Sequence, residues 1–299
     1  MEQPQPLKLI ECPRDAMQGW KRYIPTAIKI NYLNTLLQVG FDTLDFGSFV
    51  SPKAIPQLAD TKEVLAGLEP GSKTKLLAIV ANLKGAAEAV GYEAIRYIGY
   101  PFSISPTFQR LNTNSAQEAS FRLVGELIDI CVKNNKVPVI YLSMGFGNPY
   151  GDPYSAELLF DWAAGIAGLG TPVISVADTV GMATPELIYT VTSELVKQLP
   201  ETEIGVHLHA SPALRIEKLG AALRAGCRRF DGAMKGVGGC PMANNELVGN
   251  MDTELIIGYF NSLGYQFNLD GQSLRESSRL AGEIFYDHQS ASQVTASAH

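Results

Sequence analysis

Two histidines, His207 and His209, stand two positions apart in a stretch that otherwise has the composition of a buried β-strand. Alternate residues of a strand point to the same face, so this spacing places both imidazoles side by side. The chain has only four histidines, and neutral imidazoles are common ligands of divalent metal ions. Two polar residues at the rim of a sheet are the alternative interpretation. The spacing predicts a metal site whose other ligands come from elsewhere in the chain.

Oxygen ligands for such a site stand near two other predicted strands. Asp15 follows the first of them and could supply a carboxylate, while its neighbour Arg14 could bind an anionic substrate. A solvated surface ion pair would look the same in the sequence. Asn250 follows a glycine-rich loop and could add an amide oxygen. Two imidazoles with carboxylate and amide oxygens suit Mg²⁺ or Mn²⁺ better than structural zinc.

Three more residues have types that could act in catalysis. Asp45 and Asp178 end two further β-rich stretches, although Asp178 precedes a threonine and could equally cap a helix. Cys240 lies in the run GGCP at 238–241, where a bland turn explains the glycines but not the thiol. Whether Cys240 reacts therefore depends on what the remainder of the chain builds around it.

All these residues follow short β-rich stretches that alternate with helical ones. We predict strands at residues 7–12, 43–47, 75–80, 94–100, 137–143, 173–177, 204–209 and 229–233. We predict helices at residues 24–39, 116–134, 155–169, 185–199, 214–225 and 254–263, with Ser155 and Thr184 as caps. A further helical segment, 269–289, could pack under the barrel or against a partner subunit.

Eight β/α units in about 260 residues predict a single closed TIM barrel, (β/α)8, of the α/β class. An open doubly wound sheet is the alternative, but no glycine-rich nucleotide loop follows an early strand. We expect one catalytic domain over residues 1–299, with the barrel at about 7–264 and a C-terminal helical extension and tail at 265–299. The loops after the strands would then form the active-site face, and no cofactor-binding fingerprint besides the metal ligands is present.

Composition narrows the partners. A formal net charge of −6 argues against a broad nucleic-acid surface, and the chain has no apolar run long enough to cross a membrane. The N-terminus lacks the apolar segment of a signal peptide, and four scattered cysteines fit free thiols in a reducing cytoplasm. A homodimer is compatible with the sequence but is not specified by it.

Six ordered motifs resemble those of the hydroxymethylglutaryl-CoA lyase (HMG-CoA lyase) family, in the metal-dependent branch of TIM-barrel enzymes. They are PRDAMQ at 13–18, SFVSPK at 48–53, NLKG at 82–85, DTVG at 178–181, HLH at 207–209 and GGCP at 238–241. The resemblance spans nearly the whole barrel, and the GGCP loop favours the lyase over the related synthases.

The resemblance implies a retro-Claisen lyase that cleaves 3-hydroxy-3-methylglutaryl-CoA to acetoacetate and acetyl-CoA. It implies that a divalent cation, Mg²⁺ or Mn²⁺, is bound by the ligand set Asp15, His207, His209 and Asn250. Arg14 would stabilise the enolate of the acetyl thioester, and Cys240 would transfer a proton from a mobile loop. Asp45 and Asp178 match the family's active-site acids.

Three departures from the family pattern concern the substrate. Glutamate is usual at the position of Asp45, and the sequence after the histidine pair, 210–213, differs from the usual one. The interval from Cys240 to Asn250 is one residue longer than usual. The alternative function is therefore a related metal-dependent aldolase or Claisen-condensing enzyme that acts on another acyl-CoA or a 2-oxo acid.

Overall fold

A computed structural model describes residues 6–239 and 248–286, so Cys240 and Pro241 lie outside the described residues. Eight parallel strands form a closed barrel in chain order, with β1 beside the last strand. The barrel strands are β1 (Lys8–Glu11), β2 (Thr43–Ser48), β3 (Lys75–Ile79), β4 (Ile95–Ser103), β5 (Val137–Ser143), β6 (Val173–Ala177), β7 (Glu203–His207) and β9 (Arg229–Gly232). Two short strands, β8 (His209–Ala210) and β10 (Gly249–Asn250), pair antiparallel above the barrel. The predicted TIM barrel is confirmed.

Helices surround the strands. They are α1 (Pro13–Gln18), α2 (Thr26–Val39), α3 (Thr61–Ala66), α4 (Leu83–Ala89), α5 (Pro106–Thr113), α6 (Gln117–Lys133), α7 (Ala156–Gly168), α8 (Pro185–Gln198), α9 (Arg215–Arg224), α10 (Thr253–Ser262) and α11 (Gly271–Phe285). The predicted caps are confirmed, because the hydroxyls of Ser155 and Thr184 accept hydrogen bonds from Leu158 N at 3.1 Å and Leu187 N at 3.2 Å. Within the described residues, no helix is long and apolar enough to cross a membrane.

Side chains on the inner face of the barrel form a compact apolar cluster. Its buried members are Leu77, Ile79, Tyr97, Val139, Tyr141 and Val173. Gly99 of β4 is required here, because a Cβ at this position would lie 2.5 Å from Ile79 Cδ1. A larger cluster fills the space between strands and helices. The barrel centre is therefore packed, and its open space lies at the carboxyl ends of the strands.

The structure corrects the predicted seventh strand. Residues 204–209 do not form one strand: β7 ends at His207, and His209 pairs instead with Asn250 across β8 and β10. The chain leaves the barrel at Leu208 because the hydrogen-bonding partner changes from a parallel neighbour to an antiparallel one. The four helices α1, α3, α4 and α5 were not predicted, since 6 to 8 residues are too short to show a clear helical period.

The C-terminal helix α11 takes the first of its two predicted positions. It packs against α2 on the side of the barrel, and its Phe285 ring meets Trp20 edge-on at 5.2 Å and Tyr32 at 6.5 Å. The backbone NH of Asp270 donates to Val39 O at 2.8 Å, which fixes where α11 begins relative to the end of α2. The extension is thus part of the packed body.

Candidate active site

Most of the predicted site residues meet at the carboxyl ends of the strands. Arg14 and Asp15 lie in α1, directly after β1, while His207 ends β7 and His209 begins β8. These four residues line a cavity of about 440 Å³. The side chain of Asn250, on β10, reaches the same group from the other side.

The strongest candidate metal centre is formed by Asp15, His207 and His209. The two Nε2 atoms face each other at 3.1 Å, and Asp15 Oδ2 lies 4.0 Å from His207 Nε2. Asn250 Nδ2 donates to Asp15 Oδ2 at 2.8 Å. The buried Nδ1 of His209 has no hydrogen-bonding partner among the described residues, so nothing there holds the ring against reorientation. Two imidazoles and a carboxylate converging on one point fit a divalent cation.

Asp231 of β9 orients the first histidine. Its Oδ2 lies 3.2 Å from His207 Nδ1, and a carboxylate only accepts, so Nδ1 carries the proton and leaves the Nε2 lone pair free. Carboxylates that support metal-binding histidines in this way raise their basicity. Burial lowers the pKa of His207, but the hydrogen bond to Asp231 outweighs it and the net shift is upward. Burial and His207 lower the pKa of His209 to about 3, so His209 is neutral at pH 7.

Arg14 is held by two carboxylates and an amide. Its Nε and Nη2 donate to Asp45 Oδ2 at 2.9 and 2.6 Å, and its Nη1 donates to Asp15 Oδ1 at 3.0 Å and Gln18 Oε1 at 2.8 Å. Burial raises the pKa of Asp45 to about 6 even though Arg14 opposes the shift. For Asp15, burial also favours protonation, but Arg14 and the two histidines prevail and lower the pKa to about 2. Asp15 is therefore an ionised ligand at neutral pH.

Comparison with known proteins agrees with this geometry. Residues 8–281 match the HMGL-like family. This chain belongs to the HMGL-like family. The mitochondrial hydroxymethylglutaryl-CoA lyase of Mus musculus is 30% identical over 277 residues, which cover 92% of this chain and 84% of the mouse protein.

Solved HMG-CoA lyases share the fold. The Bacillus subtilis enzyme superposes with a TM-score of 0.89 at 29% identity, over 95% of both chains. An HMG-CoA lyase from Acinetobacter baumannii, solved with coenzyme A and 3-methylmalate, gives 0.86 at 31% identity, over 94% of this chain and 91% of that one. As a member of the HMGL-like family with relatives of this kind, the protein is a carbon–carbon lyase.

In this HMGL-like chain, Asp178 does not line the cavity, unlike its neighbours Ala177 and Thr179. Its Oδ2 accepts from the ammonium of Lys218 at 2.6 Å, and its Oδ1 accepts from Ala183 N at 3.1 Å. Burial raises the pKa of Asp178, which Lys218 opposes. Lys218 also donates to the carbonyl oxygen of His209 at 2.9 Å. The pair therefore supports the backbone that carries His209.

Loss of Lys218 is expected to destabilise the protein strongly. Lys218→Met would leave the Asp178 carboxylate buried without its counter-charge, which costs about 3–5 kcal/mol. The free energy of unfolding in urea measures the effect, and the double variant Lys218→Met/Asp178→Asn should recover much of it. The exposed Lys197, 3.9 Å from Glu194, is the matched control and should change stability little when replaced by Met. Equal losses for Lys218→Met and Lys197→Met would contradict the structural role of this pair.

Sequence reasoning missed three residues of the site: Gln18, Asp231 and Lys218. Asp231 had a usable signal, since it lies two residues after Arg229 in a predicted strand, at the end where the other candidates lie. Lys218 had none, because it lies within α9 and reaches Asp178 only through tertiary packing. The proposed role of Cys240 falls outside the described residues and stays a prediction.

The cavity has two chemically different sides. The polar side carries Arg14, Asp15 and the two histidines. The opposite side consists of apolar residues from the segments after β2, β3 and β4 and from β5, chiefly Val50, Ala54, Ile55, Phe108, Leu111 and Tyr141. A ligand bound here would therefore meet charge and metal ligands on one flank and hydrocarbon on the other.

Proposed function

We propose that the protein is a divalent-metal-dependent lyase that cleaves 3-hydroxy-3-methylglutaryl-CoA to acetoacetate and acetyl-CoA. The observation that carries this proposal is the convergence of Asp15, His207 and His209 beside Arg14 at the mouth of one cavity. The names of the relatives, and the coenzyme A in the Acinetobacter baumannii structure, support an acyl-CoA substrate.

The proposed metal ligands are Asp15, His207, His209 and Asn250. The observed donors are an ionised carboxylate, a histidine fixed by Asp231 and a neutral histidine, which are the protonation states that metal binding requires. A bound Mg²⁺ or Mn²⁺ would supply Lewis acidity and lower the pKa of a hydroxyl group. Asn250 holds Asp15 in place through its amide NH, which is the contact that brings it into the set.

Arg14 is proposed to bind the thioester oxygen. It lines the cavity, and Nη2 makes one hydrogen bond among the described residues, so its second N–H remains for a substrate oxygen. Breaking C2–C3 of the substrate moves negative charge onto that oxygen, and a fixed guanidinium stabilises the charge as it develops. Asp45 acts through Arg14, because its fully buried carboxylate grips the guanidinium from behind.

Proton transfer completes the proposed reaction. The C3 hydroxyl loses its proton as the C3 carbonyl forms, and C2 of the acetyl-CoA enolate gains one. We assign the second transfer to Cys240, as the sequence resemblance implies. Asp178 is assigned a supporting role, since its carboxylate binds Lys218 rather than the cavity. A cytoplasmic location and a homodimer remain predictions from the sequence, and the relatives include both mitochondrial and cytoplasmic enzymes.

A direct assay tests the proposal. Purified protein with Mn²⁺ or Mg²⁺ and 3-hydroxy-3-methylglutaryl-CoA should release acetoacetate and acetyl-CoA in equal amounts, as measured by mass spectrometry. EDTA should stop the reaction, and added Mn²⁺ should restore it. Failure to cleave any 3-hydroxyacyl-CoA while Mn²⁺ is bound would overturn the proposal. Turnover of a 2-oxo acid instead would establish the aldolase or condensing alternative.

A further inference from the structure

We propose that the preferred substrate carries, at C3, a hydrocarbon substituent larger than methyl. This inference rests on the proposed lyase function and specifies the acyl group that the same site accepts. It comes from the apolar side of the cavity, defined by Val50, Ala54, Ile55, Phe108, Leu111 and Tyr141.

The apolar side extends from the barrel interior to the rim. Tyr141 and Phe108 are buried, and Val50 packs against the interior cluster that contains Tyr141. Leu111 of α5 stands at the outer end, where 50% of its surface is exposed. An exposed leucine in line with buried apolar residues makes one continuous hydrocarbon surface that a flexible chain can follow.

Charge excludes most other occupants of this side. Among the described residues that line the cavity, Arg14 is the one lysine or arginine, and two carboxylates and Gln18 already hold it. A carboxylate or phosphate placed against Val50 and Phe108 would lose water without gaining a counter-charge. The substrate's hydroxyl, carboxylate and thioester therefore belong on the polar side, with Arg14 and the candidate metal ligands.

The stereochemistry at C3 then leaves one group for the apolar side. A 3-hydroxyglutaryl thioester has at C3 a hydroxyl, the two arms that end in the carboxylate and the thioester, and a single remaining substituent. When the first three face Arg14 and the histidines, the fourth points toward the opposite wall. A methyl group covers little of that wall, whereas a longer chain removes more of it from water.

The expected gain follows from the burial of hydrocarbon. Each methylene moved from water to an apolar wall should raise kcat/KM about fourfold, until the wall is covered. The chemistry is the same for every member of such a series. The C2–C3 bond breaks, its electron pair passes to C2 and the thioester, the C3 hydroxyl proton leaves as the carbonyl forms, and C2 takes up one proton. The products are acetyl-CoA and a 3-oxo acid that carries the substituent.

The test is a series of 3-hydroxyglutaryl-CoA thioesters with hydrogen, methyl, ethyl, propyl or butyl at C3, assayed with Mn²⁺ for acetyl-CoA and the matching 3-oxo acid. We expect kcat/KM to rise from methyl to butyl. In Val50→Thr and Leu111→Asn, which place polar atoms on the apolar side, the butyl-to-methyl ratio should fall several-fold. Leu263→Asn is the matched control, because Leu263 is 48% exposed near the end of α10 and does not line the cavity, and it should keep the wild-type ratio.

The outcomes separate this inference from the function on which it rests. Cleavage of the methyl compound with a flat or falling series would overturn the larger substituent and leave the lyase function intact. Equal ratios in Val50→Thr, Leu111→Asn and Leu263→Asn would overturn the assignment of the apolar side, which would then serve the pantetheine arm of coenzyme A. Absence of cleavage across the series, with Mn²⁺ bound, would overturn the lyase proposal itself.

Discussion

Replacement of Asp15 by asparagine is expected to weaken Mn²⁺ binding at least about 100-fold, a loss of about 2.8 kcal/mol of binding free energy, and to reduce turnover to background. Asp15 is the ionised ligand of the cluster, with a pKa of about 2. An amide keeps the size of the side chain but removes the charge opposite the cation. Titration of Mn²⁺ followed by electron paramagnetic resonance measures the affinity independently of activity.

The control for this variant is Asp270→Asn. Asp270 caps α11, where its carboxylate accepts from Ser273 N at 2.7 Å, and asparagine caps a helix about as well as aspartate. It tests the same chemical change far from the candidate metal centre and should leave affinity and turnover unaltered. Wild-type Mn²⁺ affinity in Asp15→Asn would show that the cation binds elsewhere.

Replacement of Arg14 by lysine is expected to lower kcat about 100-fold while Mn²⁺ affinity changes far less. Lysine keeps the positive charge but loses the planar fork that grips Asp45 and still reaches the cavity. Removal of one fixed donor to a developing oxyanion typically costs about 10² to 10³ in kcat. Steady-state kinetics combined with the Mn²⁺ titration separates this effect from damage to the metal centre.

Arg228→Lys is the matched substitution. Arg228 precedes β9 and donates to the backbone carbonyls of Leu223 and Cys227, away from the cavity. Its variant should retain wild-type kcat. If Arg14→Lys also retained it, the guanidinium would have no part in stabilising the transition state, and the proposed role of Asp45 behind it would fall as well.

The fold was predictable because its pattern is repeated along the chain. Each of the eight strands was placed within a few residues, since every one is a short apolar run followed by a turn and a helical period. The partner exchange at His209 was not predictable, because nothing local distinguishes a strand that continues from one that turns to pair with Asn250. Hydrogen-bond partners far apart in sequence leave no periodic signal.

The site was predictable where its chemistry lies in local spacing, and not where it depends on packing. His207 and His209 were identified from their spacing, and Asp15 from its position after a strand. The grip of Asp45 on Arg14, the support of His207 by Asp231 and the engagement of Asp178 by Lys218 all join residues on different elements. The aspartate-for-glutamate difference at position 45 shows why this matters: the shorter side chain still reaches Arg14 by a two-donor contact, so sequence comparison alone overstates the change.

The small antiparallel pair of β8 and β10 has a consequence for how this enzyme can diversify. Asn250 is fixed by backbone pairing to His209, and Val237 O accepts from its amide at 2.9 Å, so the chain is anchored just before and just after residues 240–247. Insertions or deletions between the two anchors therefore need not move any proposed metal ligand. Substrate preference can evolve by changing the length and composition of that span while the reaction chemistry is inherited intact.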